Sequence, residues 1–138
     1  MTVVLDTNVL VSAILKPRST PARILRLVIQ GDIELVANEA IITEYTQVLG
    51  RPKFNLDPGD VAPILEFIRR HAVRAPSLPE SFELPDVNDE PFLEAALAVR
   101  ADALVTGNRK HYPPELCKGQ TVLTPRRFFE FLEEGTTE

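Results

Sequence analysis

Val3-Val4-Leu5-Asp6-Thr7-Asn8-Val9-Leu10-Val11 places an apolar run, an acid, two small polar residues and a second apolar run in immediate succession. The first run, rich in β-branched residues, reads as a buried strand, and the second as the start of a helix. The stretch is therefore a strand, a carboxylate at its end, and a helix. In a parallel α/β sheet the carboxyl ends of the strands open onto the crevice where ligands bind, so Asp6 stands where chemistry is done. Asp is also a good helix N-cap, and that second reading of Asp6 stays open at this point.

Outward from this stretch the alternation continues. Residues 2 to 5 are the first strand, and Val9 to Leu15 begin a helix that yields at Lys16-Pro17. Thr20-Pro21 caps a second helix, with Ile24, Leu25, Leu27 and Val28 as its apolar face and Gly31 as its stop. Ile33 to Ala37 is a short strand. Asn38 then caps a helix carrying Ile41, Ile42, Tyr45, Val48 and Leu49, ended by Gly50 and Pro52. Asp57-Pro58 opens a helix to about His71, in which Val61, Ile64, Leu65 and Ile68 recur at the spacing of one buried face. Val73 marks a brief edge strand. Pro76 to Asn88 is a loop rich in proline and acids, long enough to point to function or mobility. Asp86 to Pro91 forms an acidic helix entrance, Phe92 to Arg100 an alanine-rich helix, Ala103 to Thr106 a strand, and Gly107-Asn108 a turn. Thr121 to Leu123 is the last strand, and Thr124-Pro125 caps a final helix with Phe128, Phe129, Phe131 and Leu132, followed by a tail after Gly135. Strands alternating with helices, without an internal repeat, define an α/β chain.

With 138 residues the chain is expected to be one domain, 1–138, with a single core. Hydrophobic residues at 44% and charged residues at 25% exclude a disordered protein. The lone Cys117 has no partner for an internal disulfide, nothing like a secretory leader precedes the first strand, and no apolar run is long enough to span a bilayer. A cytoplasmic protein is the expectation. The net charge of −5 argues against a general polyanion binder, yet clustered acids suit a protein that meets phosphates through metal ions.

Asp6 ends the first strand, Glu44 lies within the third helix, and Asp86 and Asp89 stand at the entrance of the alanine-rich helix. Two of these positions are junctions that parallel topology gathers at one sheet edge. Hard cations such as Mg²⁺ and Mn²⁺ take oxygen ligands and bind through a few carboxylates plus substrate phosphates. Asp6, Glu44 and Asp89 are the expected metal ligands and catalytic residues, with Asp86 as an accessory. Asp86 and Asp89 also fit as helix caps. Thr7, Asn8 and Thr106 either support the acids by hydrogen bonds or satisfy free backbone N–H groups. The two histidines, His71 and His111, lie far apart with no partner motif, and nothing resembles a Ser-His-acid triad.

Val4-Leu5-Asp6-Thr7-Asn8 resembles the first acidic motif of the PIN-domain nucleases. Glu44, in Thr43-Glu44-Tyr45-Thr46-Gln47-Val48-Leu49, resembles that family's second motif, and Asp89, before Phe92-Leu93-Glu94-Ala95-Ala96-Leu97-Ala98, its third. Asp102-Ala103-Leu104-Val105-Thr106-Gly107-Asn108 is similar to the fourth. Arg51-Pro52-Lys53-Phe54 resembles a subgroup of small PIN proteins that are toxin components of toxin–antitoxin systems. The resemblance implies a three-layer α/β/α sandwich around a central parallel sheet, metal-dependent RNA cleavage with Mg²⁺ or Mn²⁺, a cognate antitoxin, and a homodimer formed through the helices. Many family members carry a fourth acid where this chain offers Asn108 and His111. Asn108 has a carbonyl oxygen to give to a metal or a water, and His111 a nitrogen for a softer metal or a phosphate. One acid fewer weakens a second metal more than a first.

Lys16, Arg18, Arg51, Lys53, Arg109 and Lys110, all in loops or at helix ends, are candidates for the RNA backbone. A phosphotransferase of the haloacid-dehalogenase type also begins with a strand and an Asp, but needs a second Asp where this chain has Asn8. A PIN-fold module that binds RNA or protein without catalysis is the alternative to the nuclease.

Overall fold

The computed structural model describes residues 1–136, and among them are five strands and six α-helices. In chain order these are β1 (Thr2–Leu5), α1 (Thr7–Leu15), α2 (Thr20–Gln30), β2 (Glu34–Ala37), α3 (Glu39–Leu49), α4 (Pro58–His71), β3 (Val73–Arg74), α5 (Glu90–Val99), β4 (Ala103–Val105), β5 (Val122–Leu123) and α6 (Pro125–Thr136). The strands pair in the order β3-β2-β1-β4-β5, every neighbour parallel. Helices flank the sheet in the expected α/β/α arrangement, with α5 on β1, β2 and β4, and α6 on β4, β5 and α2. No helix among the described residues is long and apolar enough to cross a membrane.

The apolar runs of β1 and β4 follow from this position. Both strands are interior to the sheet, and Val3, Val4, Leu5, Ala103, Leu104 and Val105 are all buried. A strand covered on both faces has no polar alternation, which is why Val3-Val4-Leu5 reads as a continuous run. From β1 the chain builds outward through β2 and β3, then returns to lay β4 on the other side. The switch point lies between β1 and β4, and there the carboxyl ends of the strands part to leave a crevice. Backbone bonds carry the ladder one residue past the strands: Asp6 N–H donates to Val105 O at 2.9 Å, and Thr106 N–H to Leu123 O at 2.9 Å. Asp6 and Thr106 are thereby set side by side at the sheet's carboxyl edge.

Several element ends differ from the sequence expectation. Helix α1 starts at Thr7 rather than Val9, with Asp6 as its N-cap residue, but the Asp6 side chain makes no capping bond because it is turned to other donors. The cap of α2 is Ser19, whose Oγ accepts from Ala22 N–H at 3.3 Å, and Thr20 and Pro21 fall inside the first turn. β2 begins at Glu34 rather than Ile33, and α5 at Glu90 rather than Phe92. Helix α6 runs through Gly135 to Thr136 where a tail was expected; a glycine lowers helix propensity by about 1 kcal/mol and need not end a helix already packed on the sheet. The rest of that expected tail, 137–138, lies outside the described residues. The loop 76–86 is anchored rather than free: Phe82 N–H donates to Glu90 Oε1 at 3.1 Å, Leu78 N–H to Glu94 Oε2 at 3.3 Å, and Phe82 and Leu84 are buried. Gly31, at φ +85°, stops α2 as expected.

Candidate functional site

Asp6 is buried at the switch point, and its Oδ2 accepts two hydrogen bonds, from Thr106 Oγ1 at 2.8 Å and from the Tyr112 hydroxyl at 3.2 Å. Burial pushes the Asp6 carboxyl above the usual range, while these donors, the Thr7 backbone and the charge of His111 pull it back. Tyr112 is itself buried beside Asp6 and Asp89, which holds its hydroxyl well above the ordinary value and keeps it a donor. Thr106 reaches Asp6 because β4 lies directly beside β1, and its Oγ1 also accepts from Asn108 N–H at 3.1 Å.

Glu44 arrives from the neighbouring helix. The Tyr45 hydroxyl donates to the Leu5 carbonyl at the end of β1, fixing α3 against that strand, and the next residue back, Glu44, accepts from the Thr7 hydroxyl. Asn38 performs two tasks at the end of β2. Its Oδ1 caps α3 by accepting from Ile41 N–H at 2.9 Å, and its Nδ2 donates to Pro91 O at 3.0 Å in the first turn of α5. That second bond holds the helix entrance on which Asp89 sits.

Asp89 is only 8% exposed, and its Oδ2 is a buried oxygen without a hydrogen-bond partner among the described residues. His111 Nδ1 lies 3.0 Å away, close enough for an ion pair but not aligned as a hydrogen bond. Burial first, then the charge of Asp6, raises the Asp89 carboxyl to about 6; His111 opposes the shift and Asp86 adds to it. Two buried carboxylates that resist ionisation, and one buried oxygen with no donor, make a site short of positive charge. A divalent cation with oxygen ligands fits that deficit.

A cleft of about 530 Å³ runs over these groups and is lined by Thr7, Asn8, Lys16, Glu44, Arg51, Phe54, Asp86 and Asp89. Acids form one part of its wall, and cations with an aromatic ring another. Lys53 lies over the Phe54 ring at 5.0 Å. Arg109 and Lys110 line a separate hollow of about 660 Å³, and Arg18, exposed between α1 and α2, lines neither. Asn8 ties the first turn of α1 to the turn after β4 by accepting from Gly107 N–H at 3.2 Å. A Cβ on Gly107 would stand 3.3 Å from Asn8 Oδ1, so the close approach favours glycine there.

The side chains of metal-binding type whose ligand atoms all lie within 4.8 Å of one another, among the described residues, are Asp86, Asp89 and His111. Asp6 and Glu44 stand near this group but outside it, each turned to an internal donor. Asn108 does not present its carbonyl oxygen there: Oδ1 accepts from Lys110 N–H at 3.2 Å and caps the 3₁₀ turn Arg109–His111. Nothing in the sequence points to Tyr112, since a tyrosine in a loop carries no local signal of the carboxylate it will meet.

An α/β chain with its acids gathered at the β1/β4 switch point has the frame of a phosphate-handling site. It belongs to the PIN domain family, whose model matches residues 2–110. His111 and Tyr112, which touch Asp89 and Asp6, lie just beyond that match. The crystal structure of FitAcB from Neisseria gonorrhoeae is similar in fold, with a TM-score of 0.54 and 15% identity, covering 90% of this chain and 98% of that one. No curated protein matches the chain by sequence.

Proposed function

We propose that this PIN-domain protein is a metal-dependent endoribonuclease that hydrolyses RNA phosphodiester bonds in the cytoplasm, using Mg²⁺ or Mn²⁺ held by Asp6, Glu44 and Asp89. The observation that carries the reading is the buried, donorless Oδ2 of Asp89 on a cleft shared with Glu44 and within the field of Asp6. A cation bound there would lower the pKa of a water and polarise the scissile phosphate. Asp6, with Oδ2 committed to Thr106 and Tyr112, has Oδ1 left for a ligand. Thr7 orients Glu44 through its hydroxyl. Lys16 and Arg51 have no side-chain partner among the described residues and line the cleft, which supports a role for them in meeting RNA phosphates. Phe54 also lines the cleft, and an aromatic side chain there would suit contact with an unpaired base of single-stranded RNA.

The sequence resemblance to toxin components adds an antitoxin partner that blocks the cleft and a homodimer formed through the helices. Incubating the chain with single-stranded RNA in Mg²⁺, in Mn²⁺ and in EDTA tests the reading: cleavage is expected with either metal and none with EDTA. RNA that is bound but left intact with every metal would favour the non-catalytic alternative, to which Asn108 in place of an acid points.

A further inference from the structure

Asp86, Asp89 and His111 bring one nitrogen and two carboxylates together from two separate 3₁₀ turns, Val87–Asp89 with its cap Asp86, and Arg109–His111. Each is held in place by the chain. Asp86 Oδ1 accepts from Asn88 N–H at 2.9 Å, leaving its second oxygen. His111 N–H donates to Asn108 O at 3.2 Å, and Asn108 caps the same turn, so the imidazole is delivered from a fixed backbone. The buried Asp89 Oδ2 and His111 Nδ1 approach to 3.0 Å without the alignment of a hydrogen bond. A carboxylate oxygen and an imidazole nitrogen are thus brought to one point from two separate turns.

An ion supplies what that geometry lacks. On an octahedral cation with bonds of about 2.1 Å, adjacent ligand atoms lie about 3.0 Å apart and opposite ones about 4.2 Å. The Asp89–His111 separation of 3.0 Å matches the first spacing, and the whole group falls within 4.8 Å. Mg²⁺ takes oxygen almost exclusively, whereas first-row transition ions accept imidazole and bind N/O sites more tightly.

We propose that Asp86, Asp89 and His111 form a mixed nitrogen and oxygen cation site that selects a first-row transition ion over Mg²⁺, with His111 supplying the nitrogen. The site shares Asp89 with the proposed nuclease centre and otherwise stands apart from that reading.

The test is a Mn²⁺ titration of the full chain followed by electron paramagnetic resonance, with pulsed measurement of nitrogen coupling to the bound ion and Mg²⁺ as competitor. The expected result is bound Mn²⁺ coupled to one imidazole nitrogen, displaced only by a Mg²⁺ excess on the order of tenfold or more. His111→Ala should lose the coupling and most of the preference. His111→Gln, which offers an oxygen instead, should bind Mn²⁺ without coupling and bring Mg²⁺ close to parity. Because His111 is half exposed on a short turn, both variants should melt near the parent temperature, and melting curves check this. Absence of nitrogen coupling in the parent, or an unchanged preference in His111→Ala, overturns the proposal. Cleavage of RNA without nitrogen coupling would sink this site and leave the nuclease standing; coupling without cleavage by any metal would do the reverse.

Discussion

Asp89 is where burial and charge oppose each other most directly. Its carboxyl is raised from an unfolded value near 3.8 to about 6, first by burial and then by the charge of Asp6. The folded chain therefore holds this proton more tightly than the unfolded chain does. Stability from the protonated form is fully present below about pH 4 and is lost as pH rises through about 6. The metal-free parent should lose melting temperature over that window relative to Asp89→Asn, which has no such proton. Added Mn²⁺ should then stabilise the parent more at about pH 7.5 than at about pH 5, because protons and the ion compete for the same oxygens. Scanning fluorimetry of both proteins across this range measures it, and a parent-minus-variant difference independent of pH would contradict the assignment. Tyr112 works on the other acid. Tyr112→Phe removes one of two donors to Asp6 Oδ2 and lets burial push that carboxyl higher still. A hydrogen bond to a charged group is worth about 1.5 kcal/mol or more, so Mn²⁺ affinity at neutral pH should fall roughly tenfold. Titration calorimetry reads this directly, and an unchanged affinity would remove Tyr112 from the support of Asp6.

At the scale of elements, single polar side chains fix the two helices that carry Glu44 and Asp89. Asn38 caps α3 and at the same time holds the first turn of α5 through Pro91 O. Asn38→Ala should destabilise the protein by about 1–2 kcal/mol through the lost cap, and should also loosen the Asp89 entrance. Asn38→Ser separates the two effects, since a serine retains the cap but cannot reach Pro91 O. Urea unfolding should therefore show most of the stability recovered in the serine variant, while its Mn²⁺ affinity stays as low as that of the alanine variant. Equal recovery of both would mean that the Pro91 bond does not position Asp89. The same bonds explain what could be read in the sequence. The frame was legible because Val3-Val4-Leu5 and Ala103-Leu104-Val105 are doubly covered and hence continuously apolar, and Ser, Asn, Asp and Gly punctuate the helices between. Asp6 and Asp89 stand out in the sequence by their places at a strand end and a helix entrance, whereas Glu44, in the middle of α3, carries no such mark. The partners of those acids were not: Thr7 meeting Glu44, Tyr112 meeting Asp6 and His111 meeting Asp89 join residues 22 to 106 positions apart, through a chain reversal that no local pattern encodes.

For the whole molecule, assembly turns on α6. Phe128 is fully buried in the core, Phe129 packs beneath the Arg23 guanidinium at 4.4 Å, and Phe131 and Leu132 are half-buried against the core. A homodimer through this surface would cover the latter two, and light scattering across a concentration series should give twice the chain mass of 15.4 kDa; a monomer at the highest concentration would remove the dimer. The proposed metal centre at the switch point makes a sharper demand, because a group used for chemistry and a group used for folding answer differently to the same substitution. Asp6→Asn keeps the shape at the end of β1, retains an oxygen for Thr106 and Tyr112, and relieves repulsion with Asp89. Mn²⁺-dependent cleavage of single-stranded RNA should drop by at least about 10²-fold in this variant, with a melting temperature at or above that of the parent. A variant that cleaves at the parent rate, or one that loses activity only because it unfolds, would contradict a metal-dependent nuclease centred on Asp6.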